Sequence, residues 1–234
     1  MPNRYGSWGA PVLAALIGAV VVAVPATGAA AVRLPAAGPV IVRTVVARAA
    51  PSAGARKVLV LHDFRRDFRP QIVFAVREQT GQDGQEWLQV RLPMRPNGRL
   101  GWIPAASAEI RPVNTQIVIH RGTRRLELIR RGKRLLTAVV AVGMRSAPTP
   151  LGEFYATARF FPTNPFYGPF ALETSAYSPT LSDWPGGGVV GIHGTSLPGL
   201  LGRAVSHGCI RVRNSVALKL KRLAPLGTAI RIVP

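Results

Sequence analysis

The stretch SHGCIRVRN, residues 206–214, contains Cys209, the only cysteine of the 234-residue chain. His207 stands two residues before it and Arg211 two residues after it. Such a cysteine can be a nucleophile, a metal ligand or a small buried apolar side chain. On an extended segment side chains alternate, so His207 and Cys209 would face the same way across Gly208. The surrounding sequence has to decide among these three roles.

A second histidine, His193, lies upstream at the end of the apolar run VVGIH, residues 189–193, which predicts a buried strand. A histidine can deprotonate a thiol, and backbone amides must then stabilise the oxyanion. Spacing alone does not rank His193 against His207 as the base. A zinc site formed by these two histidines and Cys209 is disfavoured, because no fourth ligand and no CxxC pair lies nearby.

Three segments in a fixed order resemble the L,D-transpeptidase catalytic domain of bacterial cell-wall enzymes. That family's pattern is a histidine, a gap of about fifteen residues and then Ser or Thr followed by His-Gly-Cys and a hydrophobic residue. This chain has His193 and then SHGCI at residues 206–210. PTPLGEF at residues 148–154 and YGPFAL at residues 167–172 resemble the family's two preceding landmarks. The resemblance extends over residues 115–233.

The resemblance implies a role for each residue of the motif. Cys209 is then the nucleophile, His193 its acid/base partner, and the carbonyl of Gly194 orients the imidazole. The shaping turn consists of Ser206, His207 and Gly208. The amides of Gly208 and Cys209 form the oxyanion hole, with the amide of His207 as a further candidate. His207 would be structural or substrate-facing. Arg211 stands where many members carry Asn, and either a fork to a stem-peptide carboxylate or a structural hydrogen bond is open to it. The family implies no cofactor.

Residues 172–188 lie where the family places a lid over the acyl-donor site. Tyr177 and Trp184 give this stretch aromatic side chains, and the run PGGG at residues 185–188 suits a mobile cover. Each aromatic residue either contacts substrate or packs inside the lid.

The implied reaction is attack of Cys209 on a peptidoglycan tetrapeptide stem, with release of the terminal D-amino acid. An amine of a second stem then resolves the thioester and forms a 3-3 cross-link. Water as the acceptor would give an L,D-carboxypeptidase instead. A papain-like peptidase is disfavoured because such enzymes place Cys before His in the chain. A non-catalytic, basic wall-binding β-protein with a packing cysteine stays open.

The composition is strongly basic: 30 Lys and Arg against 10 Asp and Glu give a net charge of +20. This charge calls for a polyanionic neighbour, namely nucleic acid, membrane or an anionic cell-wall polymer. Arginines cluster between residues 121 and 134, but no aromatic residues interleave with them as stacking platforms. We therefore expect anionic wall polymers and no nucleic acid.

The N-terminus predicts export to a cell wall or periplasm-like space. Residues 12–24, VLAALIGAVVVAV, form an apolar run that is too short to span a bilayer comfortably, and the small residues ATGAAA follow it. Residues 1–31 are therefore expected to be a signal peptide cleaved near Ala29 or Ala31, or else an uncleaved anchor. Membrane contact would be confined to that segment. Cysteines of exported proteins are usually paired in disulfides, so an unpaired one in such a protein indicates a reactive role.

The remaining pattern predicts a mainly β protein. Residues 32–50 are rich in Ala, Pro and Val and are interpreted as a linker. Residues 51–113 alternate like short strands and resemble a small SH3-like β-barrel. Residues 114–234 form the catalytic domain, a β-sandwich with one or two short helices. One helix is expected over VALKLKRL, with Asn214 and Ser215 as its N-cap.

Overall fold

In the computed structural model, the described residues are Met1, 32–182 and 187–234. Val32–Pro234 form one compact unit. The predicted signal peptide and Trp184 lie outside the described residues. Within the described ranges no helix is long and apolar enough to cross a membrane.

The first sheet has seven strands, all paired antiparallel. Its strands follow in the chain as β1 Ala36–Pro39, β2 Thr44–Arg48, β3 Lys57–His62, β4 Ile72–Thr80, β5 Glu86–Arg91, β6 Leu100–Pro104 and β7 Arg111–Pro112. Their order in the sheet is β3-β2-β6-β5-β4-β1-β7. Alternating Val, Leu and Ile side chains fill one buried cluster on this sheet, because successive residues of a strand point to opposite faces.

The prediction of a linker over residues 32–50 is wrong for most of its length. Ala36–Pro39 pair with both β4 and β7, and Thr44–Arg48 pair with β3. Val45 and Ala47 are buried in the core of the sheet. The partners of β1 lie dozens of residues further along the chain, so local composition did not reveal its pairing.

The second half of the chain contains ten strands and the α-helix. The strands are β8 Thr115–His120, β9 Arg125–Arg130, β10 Lys133–Val139, β11 Val142–Gly143, β12 Gly152–Phe160, β13 Ala171–Tyr177, β14 Val189–His193, β15 Ala204–Ser206, β16 Ile210–Arg211 and β17 Ala229–Val233. Eight of them form one sheet in the order β10-β9-β8-β17-β12-β13-β14-β16, and β11 pairs with β15. The pairs β8–β17, β14–β16 and β11–β15 are parallel. The mainly β prediction is confirmed.

The helix α1, Asn214–Leu223, buries Val216, Ala217 and Leu220 against the core of this sheet. The residues of that face fall at helical spacing, which is why the helix was predictable. The predicted N-cap is wrong, because the N-cap position is held by Arg213, whose side chain makes no capping hydrogen bond. Asn214 Oδ1 instead accepts a hydrogen bond from the amide of Thr195 at 2.8 Å.

The two sheets pack directly on each other through a small buried cluster. Ile72 and Phe74 of β4 meet Tyr155 of β12, and the Phe74 and Tyr155 rings stack with centroids 5.5 Å apart. The Tyr155 hydroxyl donates to the carbonyl of Ile72 at 3.1 Å. Two ion pairs, Arg65–Glu173 and Arg91–Glu153, also join the two sheets. The first sheet is therefore held against strands β12 and β13 of the second.

Candidate active site

Cys209 lies in the connection between β15 and β16, directly after a backbone turn at Gly208. Gly208 has φ +117°, a conformation that glycine adopts without a Cβ penalty. Cys209 Sγ accepts a hydrogen bond from the amide of Gly191 at 3.4 Å. Because Gly191 belongs to β14 and β14 pairs with β16, the sheet fixes the position of the sulfur.

His193 ends β14 with its side chain only 3% exposed. Its Nδ1 lies 2.6 Å from the carbonyl oxygen of Gly194. A carbonyl oxygen can only accept, so Nδ1 carries the proton and the neutral ring leaves Nε2 free of hydrogen. The Tyr167 ring packs edge-on against the imidazole, with centroids 4.9 Å apart. The ring is thus held in one tautomer.

Burial shifts both titrating groups toward their neutral forms. Desolvation lowers the pKa of His193 to about 4, with a smaller lowering from the charge of Arg211, while the bond to Gly194 opposes it. Desolvation raises the pKa of the Cys209 thiol, although the Gly191 amide and Arg211 act in the other direction. At neutral pH the pair is therefore a thiol and a neutral imidazole, not a thiolate–imidazolium ion pair.

Gly194 is required by close packing of backbone. A Cβ added there would lie 2.4 Å from Asn214 Oδ1 and 3.0 Å from the Cα of Gly168. The first of these atoms is held by its hydrogen bond to Thr195. A side chain at this position would therefore displace the carbonyl that orients His193.

The turn before Cys209 is held by two buried hydroxyls. Ser206 Oγ donates to the carbonyl of Cys209 at 2.6 Å. Thr149 Oγ1 donates to the carbonyl of Gly208 at 2.8 Å and accepts from the amide of Gly143 at 2.8 Å. The PTPLGEF segment that contains Thr149 thus stabilises the cysteine turn through this hydroxyl.

One predicted oxyanion donor already has a partner inside the protein. The amide of Gly208 donates to Ser206 Oγ at 3.2 Å. The role of the Gly208 N–H as an oxyanion donor stays a prediction, and it would require this amide to exchange the serine hydroxyl for the oxyanion. The amide of Cys209 is left as the stronger candidate.

Arg211 brings a buried cation to the site. The residue is 8% exposed, and its guanidinium lies 4.7 Å from the centroid of the Phe166 ring. Its Nε is buried without a hydrogen-bond partner, and no carboxylate pairs with the side chain within the described ranges. Such a cation is unusual in a protein interior, where charged groups are normally paired.

A single pocket collects most of the predicted residues. Its walls include Cys209, His193, Ser206, His207 and Arg211. His207 is exposed at the pocket mouth. No hydrogen bond joins His193 to Cys209 in the part of the chain that the structure describes. Among those residues no three His, Cys, Asp or Glu side chains are grouped to hold a metal ion.

Tyr177 is not a wall of this pocket. Its hydroxyl donates to the carbonyl of Pro93 at 3.1 Å, and its ring lies under Arg95, which places it between the two sheets. The packing alternative of the sequence analysis describes this position.

Sequence reasoning missed several pocket residues. They are Phe166, Tyr167, Ser178, Leu181 and Val189–Val190. Tyr167 lay inside a quoted landmark, so its place in the motif was a usable signal. Ser178 and Leu181 belong to an irregular stretch without periodicity, and only the tertiary structure brings them to Cys209.

This arrangement, a cysteine and a desolvated histidine in one pocket of a mainly β fold, is that of a candidate cysteine-dependent acyltransferase. The family model of the L,D-transpeptidase catalytic domain, YkuD, matches residues 114–232. The chain belongs to this family.

Two bacterial relatives support the assignment. The L,D-transpeptidase YkuD of Bacillus licheniformis is 34% identical over 164 residues, which cover 67% of this chain and 93% of that protein. The YkuD protein of Bacillus subtilis is 38% identical over 116 residues, 50% of this chain and 64% of that one. Among solved structures, an L,D-transpeptidase from Mycobacterium smegmatis aligns with a TM-score of 0.46 at 14% identity, covering 70% of this chain and 90% of that one.

Proposed function

We propose that this protein is a peptidoglycan L,D-transpeptidase with Cys209 as its nucleophile. The observation that carries the proposal is the shared pocket of Cys209 and His193, in which the Gly194 carbonyl holds Nδ1–H and leaves Nε2 to accept a proton. The acyl donor is a tetrapeptide stem whose third residue supplies the attacked carbonyl. The terminal D-amino acid is the leaving group.

Acylation starts from the neutral pair. The Cys209 thiol passes its proton to His193 Nε2 as the sulfur–carbon bond forms, and the imidazolium then protonates the departing amine. The Gly191 amide and the charge of Arg211 stabilise the negative charge that develops on the sulfur as it attacks. The Cys209 amide is the proposed oxyanion donor. The product is a thioester on Cys209 and a free D-amino acid.

Deacylation uses the same histidine in reverse. A side-chain amine of a second stem, such as that of diaminopimelate, attacks the thioester and loses its proton to His193. The sulfur leaves as the new amide forms and takes the proton back from His193, which creates a 3-3 cross-link and restores the thiol. If water attacks instead, the enzyme is an L,D-carboxypeptidase on the same stems.

Arg211 is proposed to bind a carboxylate of the stem peptide. A guanidinium without an acidic partner in a pocket is well suited to a charge-assisted, two-pronged hydrogen bond. The Phe166 ring under the guanidinium keeps its plane in place.

The rest of the chain suggests how the enzyme meets its substrate. Residues 1–31 are proposed to direct export into the wall or periplasm-like space. Residues 51–113, with the strands that precede them, are proposed to form an SH3-like module that orients the enzyme on the wall. The charge of +20 supports retention by anionic wall polymers.

The test is incubation of the purified protein with a defined tetrapeptide stem, followed by mass spectrometry. We expect a Cys209 adduct lacking the D-amino acid, and a 3-3 dimer when a second stem is present. Cys209→Ala should form no adduct, and His193→Ala should slow acylation far more than His207→Ala. A larger effect at His207 would contradict the assignment of the base.

The products also separate the alternatives. Accumulation of tripeptide without dimer would identify an L,D-carboxypeptidase. A folded protein whose Cys209 resists iodoacetamide and yields no product would be a wall-binding protein with a packing cysteine.

A further inference from the structure

One wall of the Cys209 pocket is formed by residues 178–181, an irregular segment that follows Tyr177, the last residue of β13. Ser178 and Leu181 line the pocket, together with Gly188 at the start of β14. Inside the segment, the Ser178 amide donates to the carbonyl of Gly188 at 2.7 Å and the Leu181 amide to Ser178 Oγ at 3.2 Å. Tyr177, which leads into the segment, pairs with Val189 of β14.

The connection between β5 and β6, residues 92–99, reaches across and holds this segment. Asn97 Nδ2 donates to the carbonyl of Tyr177 at 2.7 Å, and Asn97 Oδ1 accepts from the amide of Tyr177 at 2.9 Å. One side-chain amide thus makes both hydrogen bonds that a neighbouring strand would make.

Arg95 makes a second set of contacts with the same segment. Its Nη2 donates to the carbonyls of Leu181 at 2.7 Å and Ser178 at 3.3 Å. Its guanidinium lies 4.7 Å from the centroid of the Tyr177 ring, within cation–π range. A Cβ added to Gly188 would lie 2.7 Å from Arg95 Nη2, so the arginine also contacts the base of the wall.

These contacts differ from an ordinary domain interface. All the hydrogen bonds of Arg95 and Asn97 go to the main chain of the pocket wall, so they fix its position directly. Two of the residues whose main chain they hold, Ser178 and Leu181, face the sulfur's pocket. A displacement of about 1 Å in a wall that orients substrate can cost roughly a hundredfold in rate.

We propose that Arg95 and Asn97 are positioning residues that set the acyl-donor pocket through the main chain of residues 177–181. The first sheet is then a structural part of the active site. This inference rests on the proposed function in taking the Cys209 pocket as the donor site.

The experiment compares Asn97→Ala and Arg95→Ala with Arg99→Ala in the full chain. Arg99 belongs to the same connection, and its exposed side chain makes no hydrogen bond or ion pair within the described ranges, so it is a matched control for lost charge. We expect kcat/KM for the tetrapeptide to fall about tenfold or more in the first two variants, mainly through KM, with both variants still folded at the assay temperature. Arg95→Lys, which keeps one donor and the charge, should fall between wild type and Arg95→Ala.

Two further readouts distinguish a failure of this inference from a failure of the proposed function. Hydrogen exchange of the peptide covering residues 177–182 should be faster in Asn97→Ala than in Arg99→Ala, whether or not the protein turns over stems. Alkylation of Cys209 by iodoacetamide should keep its wild-type rate, because a small reagent does not need the wall. Unchanged exchange, or kinetics of Asn97→Ala and Arg95→Ala matching those of Arg99→Ala, would overturn the inference.

Discussion

At the residue scale, His193 couples the stability of the protein to pH. Its pKa is about 4 in the folded chain and about 6.5 when unfolded, so between these values the unfolded chain binds more protons. Stability contributed by the neutral ring is therefore present above pH 6.5 and lost as the pH falls toward 4.

We expect this residue to account for a loss of about 2 kcal/mol in the free energy of unfolding between pH 7 and pH 4.5. Urea denaturation of the wild type and of His193→Gln at both pH values measures it. Carboxylates contribute acid sensitivity to both proteins equally, so the difference between the two losses of unfolding free energy isolates His193. Equal losses in the two proteins would show that the folded ring titrates normally.

Gly194 offers a second test at this scale. Gly194→Ala places a methyl group 2.4 Å from Asn214 Oδ1 and should shift the carbonyl that holds His193 Nδ1. We expect a fall in acylation rate of roughly a hundredfold with the fold retained. Gly199→Ala is the matched control, since a Cβ there meets nothing within 4 Å. Similar rates in the two variants would remove Gly194 from the mechanism.

The sequence singled out Cys209 and His193 because their spacing forms a chemically specific motif, and the structure brings both into one pocket. Cys209, His193 and Gly194 each lie within a short motif. The partner of the Gly208 N–H was not predictable from the sequence. Ser206 Oγ accepts from this amide while it donates to the carbonyl of Cys209, and that orientation depends on the fold of the turn.

At the scale of elements, the cysteine turn depends on Thr149. Thr149→Val is close in shape but leaves the Gly143 amide and the Gly208 carbonyl without their shared hydroxyl. We expect a loss of about 2 kcal/mol or more in the free energy of unfolding, because both groups stay buried. Thr149→Ser keeps the hydroxyl and should retain most of that stability. Calorimetry of the three proteins decides, and equal values for Val and Ser would contradict the role of the hydroxyl.

The strands with clear alternation, such as TQIVIH and TAIRIV, were predictable because one of their faces is buried. β1 was not, because AAGP has almost no side-chain signal and its order comes from pairing with β4 and β7. The N-cap of α1 was predicted from residue type, but Asn214 is used by Thr195. Tertiary hydrogen bonds thus overrode local preference in both cases.

At the scale of the molecule, the buried contact between the sheets should make them unfold together. Tyr155→Phe removes a hydroxyl that donates to the Ile72 carbonyl and leaves that buried acceptor with one bond fewer. We expect a loss of about 1–2 kcal/mol in the free energy of unfolding, with unfolding still in a single cooperative transition and not in two. Thermal unfolding followed in the near and far ultraviolet measures this. Two resolved transitions would show that the sheets are independent.

The contacts between the two sheets could not be predicted from the sequence. The residues that meet there, such as Arg65 and Glu173, are 108 positions apart and belong to segments that looked like separate domains. Neither charge nor periodicity indicates such a pairing, because charge alone does not specify a partner and Arg65 lies in the connection between β3 and β4.

The place of β17 in the sheet has a consequence for how the protein is made. Ala229–Val233 lie between β8 and β12, two strands that do not pair with each other. During synthesis both strands must wait with open edges until residue 233 is available, and open edges are sites of mispairing. Closure of this sheet therefore depends on residues 229–233, which are synthesised after both His193 and Cys209.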